Sequence, residues 1–154
     1  VGSCSKTYAM TGWRVGWLAG DSTVVDEATK VRESTTACTG SVAQHAAIAA
    51  LTGPQAPVEE MYDAFRERRD YVAGRLSDMD DVTAPEPEGA FYAFLNPDTD
   101  EASLPLAKRL CEEAGVVLAP GDGFGEAGQG QLRLSFANSM ERLEEGLDRL
   151  ERAL

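Results

Sequence analysis

Lysine is scarce in this chain: Lys6, Lys30 and Lys108 stand against 11 arginines in 154 residues. Histidine occurs once, at His45, and cysteine three times, at Cys4, Cys38 and Cys111. The cysteines are odd in number and far apart, without Cys-x-x-Cys or Cys/His ligand spacing. No metal site is expected, and the usage fits a reducing cytosol. No apolar run approaches the roughly 18 residues that span a bilayer. Positive charge is outweighed, with 26 Asp and Glu against 14 Lys and Arg and a formal net charge of −12. Nucleic acid and anionic membrane are therefore not expected partners, because both would repel the chain. Such a surface suits a salty cytoplasm, where screening suppresses self-repulsion, and it equally suits an ordinary acidic protein. With 43% hydrophobic residues the chain is not a disordered polymer, and its length accommodates one ordinary domain or two small lobes.

The patterning predicts a strand over 13–19 and a helix capped by Asp21 or Ser22 and running to about Cys38. An Ala-rich helix is predicted over 41–52, followed by the break Gly53-Pro54-Gln55-Ala56-Pro57 and an amphipathic helix from Val58 to about Ser77. The second half reads as an aromatic strand (90–95), a helix (103–114) ended by Gly115, a strand (116–119), a glycine-rich loop (120–130), a strand (131–137) and a last helix. Asn138 or Ser139 caps that helix, with Leu143, Leu147 and Leu150 on one face. The whole is α/β, and its C-terminal part is α+β. One strand with two helices cannot close a sheet alone, so the first 56 residues read as the edge of something larger.

Two glycine-rich segments fail as nucleotide sites. Gly123-Phe124-Gly125-Glu126-Ala127-Gly128 matches G-x-G-x-x-G, but it leads into a strand where a dinucleotide site needs a helix N-terminus. Gly2-Ser3-Cys4-Ser5-Lys6-Thr7 approaches a P-loop but has Ser5 where that motif needs glycine. Cys4 and His45 could form a nucleophilic pair, although a packed or hydrogen-bonded helical histidine is the preferred reading.

The stretch from Ser3 to Gly16 carries chemistry. Its only charged residues are Lys6 and Arg14, in a Ser/Thr-rich surround beside a strand, and two such cations call for an anion. A guanidinium with hydroxyls nearby makes a good phosphate clamp. A lysine near another cation and partly desolvated has an amine available as nucleophile or base. Together they suggest a phosphorylated carbonyl compound held covalently, a description that pyridoxal phosphate meets.

This segment, Ser3-Cys4-Ser5-Lys6 followed by Gly12-Trp13-Arg14-Val15-Gly16, resembles the Schiff-base lysine signature of class I, fold type I aminotransferases of the aspartate aminotransferase superfamily. Pro87-Glu88-Gly89-Ala90-Phe91-Tyr92, the loop Val116–Gly121 with Phe124-Gly125, and Gln131-Leu132-Arg133-Leu134-Ser135-Phe136-Ala137 are similar to further stretches of that family. The resemblance implies pyridoxal 5'-phosphate as cofactor and Lys6 as the residue that bonds it and shuttles the substrate proton. It implies Arg14 and Ser3, with Ser5 as an alternative hydroxyl, as phosphate ligands, and Arg133 as the grip on the substrate α-carboxylate.

By the same resemblance, residues 1–56 are expected to be the C-terminal edge of the large cofactor domain. Residues 57–154 would be the interdomain helix and small domain. The implied activity is transfer of an amino group between an amino acid, aspartate or a similar one, and a 2-oxo acid, in a cytoplasmic homodimer. The 154 residues alone, lacking the family's other ring contacts, are expected to be inactive. A β-lyase, an aminocyclopropane-carboxylate synthase and a non-catalytic truncated domain remain as alternatives at this stage.

Overall fold

The computed structural model describes all of residues 1–154, which pack as two compact units, Val1–Met61 and Tyr62–Leu154. In the first unit, β1 (Gly2–Ser3) pairs antiparallel with β2 (Gly16–Trp17), Gly2 opposite Trp17 and Ser3 opposite Gly16. The strand predicted over 13–19 is reduced to these two residues. A 3-10 turn occupies Thr11–Trp13 and Arg14 adopts a left-handed conformation, neither of which can continue a ladder.

Helix α1 (Ser22–Thr35) begins where Asp21 accepts a hydrogen bond from the Thr23 backbone N–H at 2.9 Å, satisfying one of the orphan donors of the first turn. It ends three residues short of Cys38. Helix α2 (Ser41–Thr52) follows the Ala-rich segment and ends at Gly53, whose N–H reaches the Ala49 carbonyl at 2.9 Å. The core of this unit is small: Cys4, Met10 and Ala47, with Tyr8, Val15, Ala46 and Ala50 packed around them. Val24, Val31, Val42, Ile48 and Leu51 are exposed.

Helix α3 (Ala56–Ser77) runs across the division at Met61 and ends in the second unit. There a four-stranded antiparallel sheet has the order β3 (Val82–Thr83), β4 (Tyr92–Pro97), β6 (Leu132–Ser135), β5 (Ala119–Pro120). Period-2 alternation sends Ala93, Leu95, Leu132 and Leu134 into the core, and leaves Tyr92, Phe94, Arg133 and Ser135 on the opposite face. Helix α4 (Ser103–Arg109) passes into a π turn over Leu110–Ala114 and stops at Gly115, in the left-handed conformation at φ 67°. The strand predicted over 116–119 pairs only at Ala119–Pro120, and the missing N–H of Pro120 limits its ladder. Helix α5 (Met140–Ala153) presents Leu143, Leu147 and Leu150 to the core beside Val72, Leu76, Leu106, Leu110 and Phe136. Each such side chain contributes about 1.5–3 kcal/mol by leaving water.

Candidate functional site

The Ser3–Gly16 segment is a loop closed at its base by the β1–β2 pairing. One step inward, the Cys4 N–H donates to the Val15 carbonyl at 3.3 Å. Cys4 is fully buried, and its carbonyl accepts from the N–H groups of Tyr8 and Met10, each at 3.3 Å. The Thr11 hydroxyl donates to the Ser5 carbonyl at 3.2 Å, and Tyr8 Oη donates to Gln55 Oε1 at 3.3 Å. The buried Cys4 and Met10 side chains and these hydrogen bonds hold the loop from inside, with Tyr8 and Val15 packed against them.

Lys6, Ser3 and Arg14 are exposed and Ser5 is half-buried. The partial desolvation expected around Lys6 is therefore not found in this chain. Arg14 sits at φ 51°, ψ 51°, a conformation costly for a residue with a Cβ, and its Nη1 donates to the Thr11 carbonyl at 3.0 Å. Four guanidinium N–H donors remain for an anion. Ser3 Oγ accepts from the Ser5 N–H at 3.0 Å, which orients the hydroxyl and leaves its proton to donate.

Arg133 belongs to the second unit. It lies opposite Phe94 on β4 and Ala119 on β5, half-buried on the sheet face away from the core. Its guanidinium carbon is 4.2 Å from the ring centroid of Tyr92 and 4.2 Å from that of Phe124. Phe124 comes from the 3-10 turn Gly121–Phe124 inside the glycine-rich loop, and it meets Phe94 edge-on at 5.7 Å and 86°. Neither Tyr92 nor Phe124 was expected as a partner of Arg133. The signal for Tyr92 was its position two residues before Phe94, and for Phe124 it was a lone aromatic among glycines.

Gly123–Gly128 lies in short 3-10 turns that lead to β6, with no helix N-terminus to receive a pyrophosphate. Cys4 is buried whereas His45 is exposed on α2, so His45 is not the packed histidine expected and the two do not form a nucleophilic pair. No cluster of three or more His, Cys, Asp or Glu could hold a metal ion. All three cysteines are free thiols.

The chain is an α/β protein with an exposed lysine–arginine loop and a sheet-borne arginine, and comparison with known proteins gives its family. Residues 1–150 match the family model described as aminotransferase class I and II, and the chain belongs to that family. It is 42% identical to an aspartate aminotransferase of Pyrococcus horikoshii, over 99% of this chain and 40% of the relative. The crystal structure of aspartate aminotransferase from Thermotoga maritima superposes with a TM-score of 0.89 at 42% identity, covering 97% of this chain and 38% of that one. An aromatic aminotransferase from Pyrococcus horikoshii gives 0.91 at 38% identity, covering 97% and 40%. The chain thus spans about two-fifths of the length of the relatives it matches.

Proposed function

We propose that this chain carries the cofactor-bonding lysine and both anion-binding arginines of a pyridoxal phosphate-dependent aminotransferase acting on an amino acid and a 2-oxo acid. The observation that carries this reading is the Lys6 loop. It is closed by β1–β2, stapled by the buried Cys4, and holds Arg14 in a left-handed conformation with four donors to spare. Backbone strain at a charged, exposed residue points to a function for that residue.

The donor set suits the group. An aldehyde needs a primary amine, and Lys6 is the lysine of this loop. A phosphate needs a planar fork and hydroxyl donors, which Arg14, Ser3 and Ser5 offer. When bound, pyridoxal phosphate supplies an electron sink for negative charge developing at the substrate α-carbon. Lys6 would hold the cofactor through its ε-amine and would move the proton at the substrate α-carbon. Arg14, Ser3 and Ser5 would hold the phosphate, and Arg133 would receive the α-carboxylate. Aspartate or an amino acid of similar kind is the proposed substrate, since relatives named for aspartate recur among the matches.

Residues 1–56 would then be the end of a large cofactor-binding domain, and 57–154 the interdomain helix and small domain. The complete enzyme would be a cytoplasmic homodimer, a location consistent with three free thiols, and its acidic surface a salt-tolerant one.

The phosphate arm of this proposal has a direct test. Borohydride fixes pyridoxal 5'-phosphate and 5'-deoxypyridoxal, which lacks the phosphate and cannot close into a hemiacetal, onto Lys6, and the concentrations for half-labelling are compared. A charge-assisted phosphate contact favours the phosphorylated form by about tenfold or more. Arg14→Ala removes that preference, and so does Arg14→Gly, which accepts the left-handed backbone. Equal labelling by both compounds in the unaltered chain contradicts the reading.

A further inference from the structure

The Arg133 guanidinium makes no hydrogen bond and no ion pair within a chain of net charge −12, although the residue is half-buried. Other arginines find partners: Arg75 holds Asp148 and Glu151, Arg109 holds Glu101, and Arg149 holds Glu145. What Arg133 has instead is ring contact, with Tyr92 and Phe124 each 4.2 Å from its guanidinium carbon. We propose that Tyr92 and Phe124 are positioning residues that pre-set Arg133 for the α-carboxylate of the substrate, an inference that rests on the carboxylate role assigned to Arg133 above.

The physical argument starts from the side chain. A free arginine has several soft torsions and a guanidinium whose flat faces are poorly hydrated while its edges carry five N–H donors. The aromatic quadrupole attracts the cation that lies over each ring, and the guanidinium donors, none of them spent on a hydrogen bond, stay available for a carboxylate. Rotamer freedom is thereby given up on folding, and binding does not have to remove it.

Both rings are themselves held. Tyr92 stands on β4, and β4 is ladder-paired with β6, so backbone register sets its distance from Arg133. Phe124 is 49% exposed and would swing freely on an ordinary loop. Its loop is closed at the base, where Gly121 and Gly128 approach so nearly that a Cβ on either would collide with the carbonyl of the other, at 2.1 and 2.2 Å. The Gly121 N–H donates to the Gln131 carbonyl at 2.8 Å, two residues before Arg133, so loop and strand share one anchor. The Phe94 edge then fixes the outer ring.

The test uses the 154-residue chain and the Arg133 Nε–Hε signal in 15N NMR, with 2-oxoglutarate as the titrant. Ring currents shift that signal in the unaltered chain, 2-oxoglutarate moves it, and Arg133→Leu removes it together with the binding. Phe124→Leu, at a half-exposed site, returns the Arg133 signal toward an ordinary arginine position and weakens 2-oxoglutarate by about three- to fivefold, the scale of one cation–π contact. Phe124→Tyr and Tyr92→Phe keep the ring faces and restore both readouts. If 2-oxoglutarate leaves the Arg133 signal of the unaltered chain unmoved, the carboxylate role falls and this inference with it. If 2-oxoglutarate binds through Arg133 but Phe124→Leu binds it equally well, the carboxylate role stands and the positioning role is overturned.

Discussion

Ser103 opens α4 with its hydroxyl wholly buried and without a hydrogen-bond partner. A buried, unpaired hydroxyl has given up water for nothing in return, so replacing it with a methyl group removes a cost. Ser103→Ala is expected to leave the urea midpoint unchanged or to raise stability by up to about 1 kcal/mol; a clear loss would reveal a partner for the hydroxyl. Residue-scale chemistry was unevenly legible in the sequence. Lys6 and Arg14 stood out because each is a rare charge in an uncharged stretch, and rarity can be read without coordinates. The left-handed backbone at Arg14 could not be read, because an arginine's own local preference is against it. It arises from the turn at Thr11–Trp13 and the carbonyl of Thr11. The rings around Arg133 were hidden for a different reason: they come from residues 41 positions before and nine positions before it, and the β4–β6 register brings in the one while the closed glycine loop brings in the other.

Helices were easier to place than strands. Helix α2 was expected over 41–52 and forms over Ser41–Thr52, since Ala-rich sequence and a glycine stop both act locally. The strands shortened wherever a ladder partner was lacking, as at 13–19 and 116–119, because a strand's extent is decided by its neighbour. Between elements, a polar connection in the second unit joins α3 to α5. Arg75 donates to Tyr71 Oη at 2.9 Å, to Asp148 at 2.7 Å and to Glu151 at 3.0 Å. These contacts, with the Tyr71 hydrogen bond foremost, raise the Arg75 pKa above its ordinary value. A raised cation pKa gives stability that is fully present below the unfolded value and is lost only as pH climbs through the folded one. The carboxylate partners are half-exposed and screened, so Arg75→Met should cost about 1 kcal/mol. That difference should stay level between about pH 6 and 9, far from any arginine titration. Paired denaturation curves across this range check it, and a difference that vanishes within the range would contradict the assignment.

At the scale of the whole molecule, the two units are unequal in what they bury. The second encloses a continuous core of leucines, valines and Phe136, while the first encloses three residues and leaves several valines and Leu51 exposed. Charge is also a property of the whole. A net −12 repels itself, and most of the ion pairs are exposed enough to contribute little. Raising sodium chloride from about 0.1 to 1 M should therefore raise the thermal midpoint, because screening weakens repulsion more than it weakens the pairs. A falling midpoint would mean that the pairs dominate. Family and fold were legible at this scale because the motifs are spread from Ser3 to Ala137, and the match to aminotransferases of class I and II covers residues 1–150. The central claim concerns Lys6, and the scarcity of lysine makes it directly testable. With only Lys6, Lys30, Lys108 and the N-terminal amine available, the chain is incubated with substoichiometric pyridoxal 5'-phosphate, reduced with borohydride, digested and mapped by mass spectrometry. The account predicts that the label lies on Lys6 and that Lys6→Ala leaves the chain essentially unlabelled. Label distributed evenly over the three lysines, or unchanged by Lys6→Ala, would contradict it.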